Sequence, residues 1–198
     1  MSEINFLLSN LKFNWSIIES LAVLFSIIYV VLAAKQNIWC WGFAAVSVSL
    51  FIYICFISQL FAETLLQFFY LFMAGYGYYN WNKSKQELNI IQLDVSKHLL
   101  IILVGAICTF LIGFYFANFT EAKTPIIDSF TTVFSVIATY MVTKKVLENW
   151  LYWIIIDIVS VNLYFNRDLH LTSLLFIAYT FIAIFGYFSW LKKVKVNA

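Results

Sequence analysis

Charge is scarce in this chain. Of its 198 residues only 11% are Asp, Glu, Lys or Arg, against about a quarter in a soluble domain. The net charge of +2 is too small for a phosphate-binding footprint, which excludes nucleic acid as a partner. Proline occurs once and glycine six times, so collagen-like and linker-rich architectures are excluded. Three cysteines, Cys40, Cys55 and Cys108, sit far apart inside apolar runs. That pattern gives neither a disulfide framework nor a metal spacing. His98 and His170 stand alone, so no metal and no cofactor is expected. The sequence also lacks GxxxxGK[ST], HExxH and GxSxG, which disfavours an ATP motor or an intramembrane enzyme and leaves no catalytic residue to name.

Apolar residues are abundant. They make up 63% of the chain, and the mean hydropathy is +0.88. A membrane-spanning helix needs about 20 such residues. Seven runs qualify: Ser16 to Ala34, Ile38 to Ile57, Leu60 to Trp81, Leu99 to Ala117, Ile126 to Val142, Trp150 to Phe165 and Leu171 to Trp190. Almost nothing remains for a soluble domain. Barrel strands would alternate polar and apolar residues, and these runs do not. The expected fold is all-α, a single polytopic membrane domain over 1–198.

The cations orient it. Seven crossings put Lys12, Lys123 and Arg167 on one side. Lys35, Lys83, Lys85, Lys97, Lys144, Lys145, Lys192, Lys193 and Lys195 fall on the other. The positive-inside rule places the second set in the cytoplasm, with the C-terminus, and the N-terminus outside. No cleavable signal peptide is visible.

A shift of 109 residues aligns 17–83 with 126–192 without a gap, at 19 identities in 67 positions. "IIES" meets "IIDS", Lys35 meets Lys144, Trp41 meets Trp150, Tyr70 meets Tyr179, and "GYYNW" meets "GYFSW". Repeat one (16–83) and repeat two (126–192) would be parallel, joined by a linker helix over 98–117. Such halves hold a solute site near the midplane between them.

Polar groups that hydrocarbon penalises mark the candidate site. Asp157 lies mid-span, where an aspartate costs about 2.5–3.5 kcal/mol on insertion scales. It contacts either a ligand or another helix. Trp150 and Trp153 share its helical stripe, at i, i+3 and i+7. Two indoles beside a carboxylate suit a flat cationic ring. An interfacial aromatic belt would also explain Trp150. Gln67, with Tyr70 a turn on, and Asn162 are the remaining candidates; interhelical hydrogen bonding is their alternative role.

Two stretches resemble a known family. "ENWLYWIIID", Glu148 to Asp157, is similar to the E-N-W-L-x-W-x-x-x-N/D core of the PnuC family of vitamin transporters. "LFAETLLQFFYLFMAGYGYYNW" (60–81) resembles that family's LYAxxLLQxxYxxxxxYGWYxW. The resemblance spans nearly the whole chain. It implies a seven-helix, three-plus-one-plus-three fold in a bacterial inner membrane. It implies facilitated diffusion of an unphosphorylated vitamin precursor, trapped by a cytosolic kinase as functional partner; a homo-oligomer is compatible with it. Matching positions give the ligand role to Gln67, Trp150, Trp153 and Asp157. Nicotinamide riboside is the default solute, thiamine the alternative, and a riboflavin branch exists. Members taking nicotinamide riboside often carry asparagine at the positions of Asp157, Ala45 and Ala74, and this chain departs at all three. A non-transporting sensor, or a lipid-acting enzyme, are the readings from other classes.

Overall fold

The computed structural model describes residues 17–83, 89–120 and 123–197. These form seven helices: α1 Ile17–Ala34, α2 Cys40–Ile57, α3 Phe61–Lys83, α4 Val95–Phe119, α5 Pro125–Thr143, α6 Asn149–Phe165 and α7 His170–Asn197. Each expected apolar run coincides with one helix. The ends differ where polar residues carry a helix past its apolar stretch. α4 starts at Val95, and Asp94 O accepts from the N–H groups of Lys97 and His98. α7 runs on beyond Trp190 through the terminal lysines. Lys12, Lys85 and Glu87 lie outside the described residues.

Five helices, α1, α2, α4, α5 and α7, are long and apolar enough to cross a membrane by length and composition. The other two were also expected as spans. α6 has 17 residues, about 26 Å of rise against a hydrocarbon core of about 30 Å. α3 is long enough but carries Glu63, Gln67, Asn80 and Asn82. These two helices carry all six candidate site residues.

Helix α1 packs on α2, α2 on α3, α3 on α5, α5 on α6, α6 on α7, and α7 returns to α1. Six helices thus close a ring, and α4 stands outside it along α5. Small residues set the ring contacts: Ala22, Ala33, Ala34, Ala44, Ala74, Ala138 and Ala183 are all buried. Lipid tails are as apolar as leucine, so helices associate by close backbone approach and interhelical hydrogen bonds. Ser47 Oγ donates to Ala22 O at 2.8 Å, Ser173 Oγ to Val161 O at 3.0 Å, and Trp190 Nε1 to Ala33 O at 3.2 Å. The large side chains of α4 point outward: Leu99, Leu103, Phe110, Leu111 and Phe114 are all exposed.

The turns repeat at the interval found in the sequence. Backbones with positive φ occur at Gln36 (60°) and Lys145 (52°), and at Gln59 (58°) and Asp168 (58°). Each pair is 109 residues apart. The links before α2 and α6 hold five residues each. Lysines 35, 83, 144, 145, 192 and 193 gather at one end of the ring, with the C-terminal ends of α1, α3, α5 and α7. There Lys144 lies 4.9 Å from the Tyr76 ring centroid. A strap before α4 pairs with the α5–α6 link: Ile91 N–H donates to Lys145 O, and Leu147 N–H to Ile91 O. At the opposite end the Arg167 guanidinium donates to both carboxylate oxygens of Asp128, at 2.8 and 2.7 Å.

The seat of α4 on α5 is a glycine. A Cβ on Gly113 would lie 2.5 Å from Ile126 Cδ1 and 3.1 Å from Ile126 Cα, which is backbone and cannot yield cheaply. Gly113→Ala is expected to cost about 1–3 kcal/mol, the usual range for overpacking. Thermal unfolding in detergent, read by near-UV circular dichroism, checks it; an unchanged midpoint would contradict this packing.

Candidate functional site

The ring is hollow. A cavity of about 640 Å³ lies inside it, lined by all six ring helices and not by α4. It runs from Glu19, Tyr164, Leu169 and Thr172 near the Arg167 end down to Ala33, Trp41, Val142 and Trp150 near the lysine end. From Glu19 to Ala33 the α1 backbone rises about 21 Å. The volume falls within the usual range for small-molecule sites, about 300–1,000 Å³.

Five of the six candidate residues meet on its wall: Gln67 and Tyr70 from α3, and Trp150, Trp153 and Asp157 from α6. The α6 residues do so because i, i+3 and i+7 fall on one helical stripe. Asn162 is five residues past Asp157, about 140° around the helix. It is exposed, and its Oδ1 accepts from Asn166 Nδ2 at 2.6 Å. The structure does not bring it to the cavity.

The two indoles are not equivalent. Trp150 is 2% exposed and packs edge-on against Trp190, with ring centroids 5.4 Å apart at 89°. It forms a floor. Trp153 is partly exposed and lines the wall one turn nearer Asp157. Both line the cavity, and Trp153 is the more open of the two.

Asp157 is 2% exposed. Among the described residues no Lys, Arg or His lines the cavity, whereas the carboxylate of Asp157 does. A buried carboxylate without a cation beside it is costly, and a cationic guest supplies the missing charge. Aromatic walls from Tyr29, Phe51, Tyr164 and Phe176 supply stacking surface, and Gln67 supplies an amide. Among the described residues no three His, Cys, Asp or Glu side chains group as a metal site.

Several lining residues escape a sequence reading. α1 contributes Ser26 and Tyr29, neither of which the sequence marked as a candidate. Tyr179 pairs with Ser26 across the α1–α7 contact at 2.5 Å, and Tyr70 pairs with Ser135 across the α3–α5 contact. The residues of the second pair sit 109 positions after Ser26 and before Tyr179. That offset was the available signal for both.

A family model described as "Nicotinamide mononucleotide transporter" matches residues 16–192. The nicotinamide riboside transporter PnuC of Escherichia coli is 29% identical over 212 residues, covering 92% of this chain and 88% of its own length. Its namesake in Neisseria mucosa is 26% identical, covering 90% of this chain and 73% of its own. The riboflavin/roseoflavin transporter RibM of Streptomyces davaonensis is 21% identical over 93% of this chain and 88% of its own. A crystal structure of the vitamin B3 transporter PnuC superposes with a TM-score of 0.75 at 23% identity, over 98% of this chain and 88% of that one. At that identity it supports the fold. These relatives are transporters by name, not enzymes. With a helical ring around a hollow of about 640 Å³ and a family match over nearly its full length, the chain belongs to the nicotinamide mononucleotide transporter family, the PnuC family, as a multi-pass membrane protein.

Proposed function

We propose that this protein is a passive uptake carrier for an unphosphorylated vitamin precursor with a flat cationic ring, nicotinamide riboside first. The observation that carries the reading is the middle of the cavity wall: the buried carboxylate of Asp157 with Trp153 one turn away, and no Lys, Arg or His among the described lining residues. A phosphate group would meet repulsion from Asp157 and no donor cation among the described lining residues. The nucleoside fits that wall better than the mononucleotide in the family's description. The ring stacks on Trp153 with Asp157 as its counter-charge, and Gln67 hydrogen-bonds the polar end.

Thiamine is the second reading. Its support is the carboxylate itself, which stands where members taking nicotinamide riboside often carry asparagine. An aminopyrimidine offers donors to a carboxylate, and the thiazolium offers charge.

Phosphorylation by a cytosolic kinase would trap either solute, since the product no longer suits the wall. The lysine end faces the cytoplasm of a bacterium in this reading, across the inner membrane. The chain is then one membrane domain of two related halves, 16–83 and 126–192, with 98–117 as the linker.

Two experiments test this. Purified protein is titrated with nicotinamide riboside and with thiamine. Trp153→Ala is expected to weaken binding of the true solute about tenfold or more, the equivalent of about 1.4 kcal/mol. Asp157→Asn removes the counter-charge and is expected to weaken both solutes, thiamine the more because its aminopyrimidine donors lose the carboxylate as well. If neither compound binds, the site is misread. In the second experiment, liposomes take up the labelled solute with or without a soluble kinase and ATP inside. Uptake should stop at equal concentrations without the kinase and exceed them with it. Accumulation without kinase would mean an ion-coupled carrier.

A further inference from the structure

The cavity stops short of the lysine end, and what stops it is a cluster of four tryptophans. Trp41 on α2 and Trp150 on α6 line its floor; Trp81 on α3 and Trp190 on α7 lie behind them and do not touch it. Trp41 meets Trp81 edge-on, at 5.3 Å and 84°. Trp150 meets Trp190 in the same way, at 5.4 Å and 89°. Trp81 and Trp190 join the two pairs at 6.3 Å. All four are buried, at 2%, 7%, 2% and 0% exposure in chain order. The pairs repeat at the interval of 109, so the cluster links equivalent points on opposite sides of the ring.

Each floor indole sits on a glycine. A Cβ on Gly77 would overlap the six-membered ring of Trp41, and one on Gly186 would come within 2.8 Å of Trp150. Neither tryptophan can hold this position beside a larger residue.

The cluster is buried but not satisfied. Nine buried side-chain nitrogen and oxygen atoms lack a hydrogen-bond partner among the described residues. Three are Nε1 of Trp41, Trp81 and Trp150; Gln36 Nε2, Asn80 Nδ2 and Asn149 Oδ1 belong to the same end. Settled packing satisfies almost all its buried polar groups. Six of the nine lie in this layer, so the indole cluster and its surroundings hold most of the unmatched polar groups of the described residues. A packed interface with two discrete arrangements is the element a transport cycle needs.

We propose that Trp41, Trp81, Trp150 and Trp190 form the inner gate of the transport path, with Gly77 and Gly186 as the seats that let it shut. The structure is then the form closed toward the lysines. To open, Trp41 and Trp150 leave their glycine seats, and water reaches the orphaned indole N–H groups. This inference rests on the transport reading, but its test needs no solute.

Cys40, Cys55 and Cys108 are replaced by alanine, and Val48, on the cavity wall, is replaced by cysteine. A membrane-impermeant methanethiosulfonate reagent is applied to the full chain in oriented vesicles, from each side separately. With the gate intact, labelling from the lysine side should be slow. Trp81→Ala should speed it about tenfold or more, and Gly186→Ala, which wedges the gate instead of removing it, should speed it as well. Labelling from the other side reports that each variant is folded and should change little. Equal labelling from both sides of the intact protein would overturn the gate. So would a lysine-side rate that neither variant raises while labelling from the other side persists. Failure of nicotinamide riboside and thiamine to bind would refute the proposed solutes and leave this result standing.

Discussion

Hydrocarbon gives a helix no reason to hide an apolar face. The ring therefore depends on close approach, and close approach depends on small residues. Ala33, Ala34, Ala44, Ala74 and Ala183 let neighbouring backbones touch near the lysine end. Because the helices meet tightly there, the space they leave elsewhere is a defined hollow, not scattered voids. The same economy explains why bulky residues crowd the outside of α4: they face a solvent as apolar as themselves.

The shell around the hollow repeats, and its middle does not. Trp41 and Trp150, Ser26 and Ser135, Tyr70 and Tyr179, and Ala74 and Ala183 all line the cavity at the shared interval. At the same interval, however, Asp157 faces Val48, Trp153 faces Ala44, and Gln67 faces Phe176. Equivalent residues build a symmetric container. The unmatched ones give it one charged wall and one open indole, and so a direction in which a solute can lie.

The two ends of the ring are held differently. Near Thr124 a charge-assisted bond from Arg167 to Asp128 joins the α6–α7 link to α5. The position of Glu19, which matches Asp128, lines the cavity instead. At the lysine end aromatic edges and a backbone strap do the joining. Ionic contact at one end and indole packing at the other are bonds of different range and direction.

The seven helices and the short links between them were legible in the sequence. Span length and hydropathy are properties of a segment, and a backbone that must satisfy itself in lipid has few alternatives to a helix. The stripe Trp150, Trp153, Asp157 was legible for the same reason, since helical spacing alone puts those side chains on one face. Asn162 shows the limit: its residue type suggested a site, but its angle around α6 turns it away. Tertiary structure decided that α1 lines the cavity and that α4 stands outside the ring. It also decided that Trp150 is floor while Trp153 is wall. Those outcomes depend on which helices become neighbours, and no single segment carries that information.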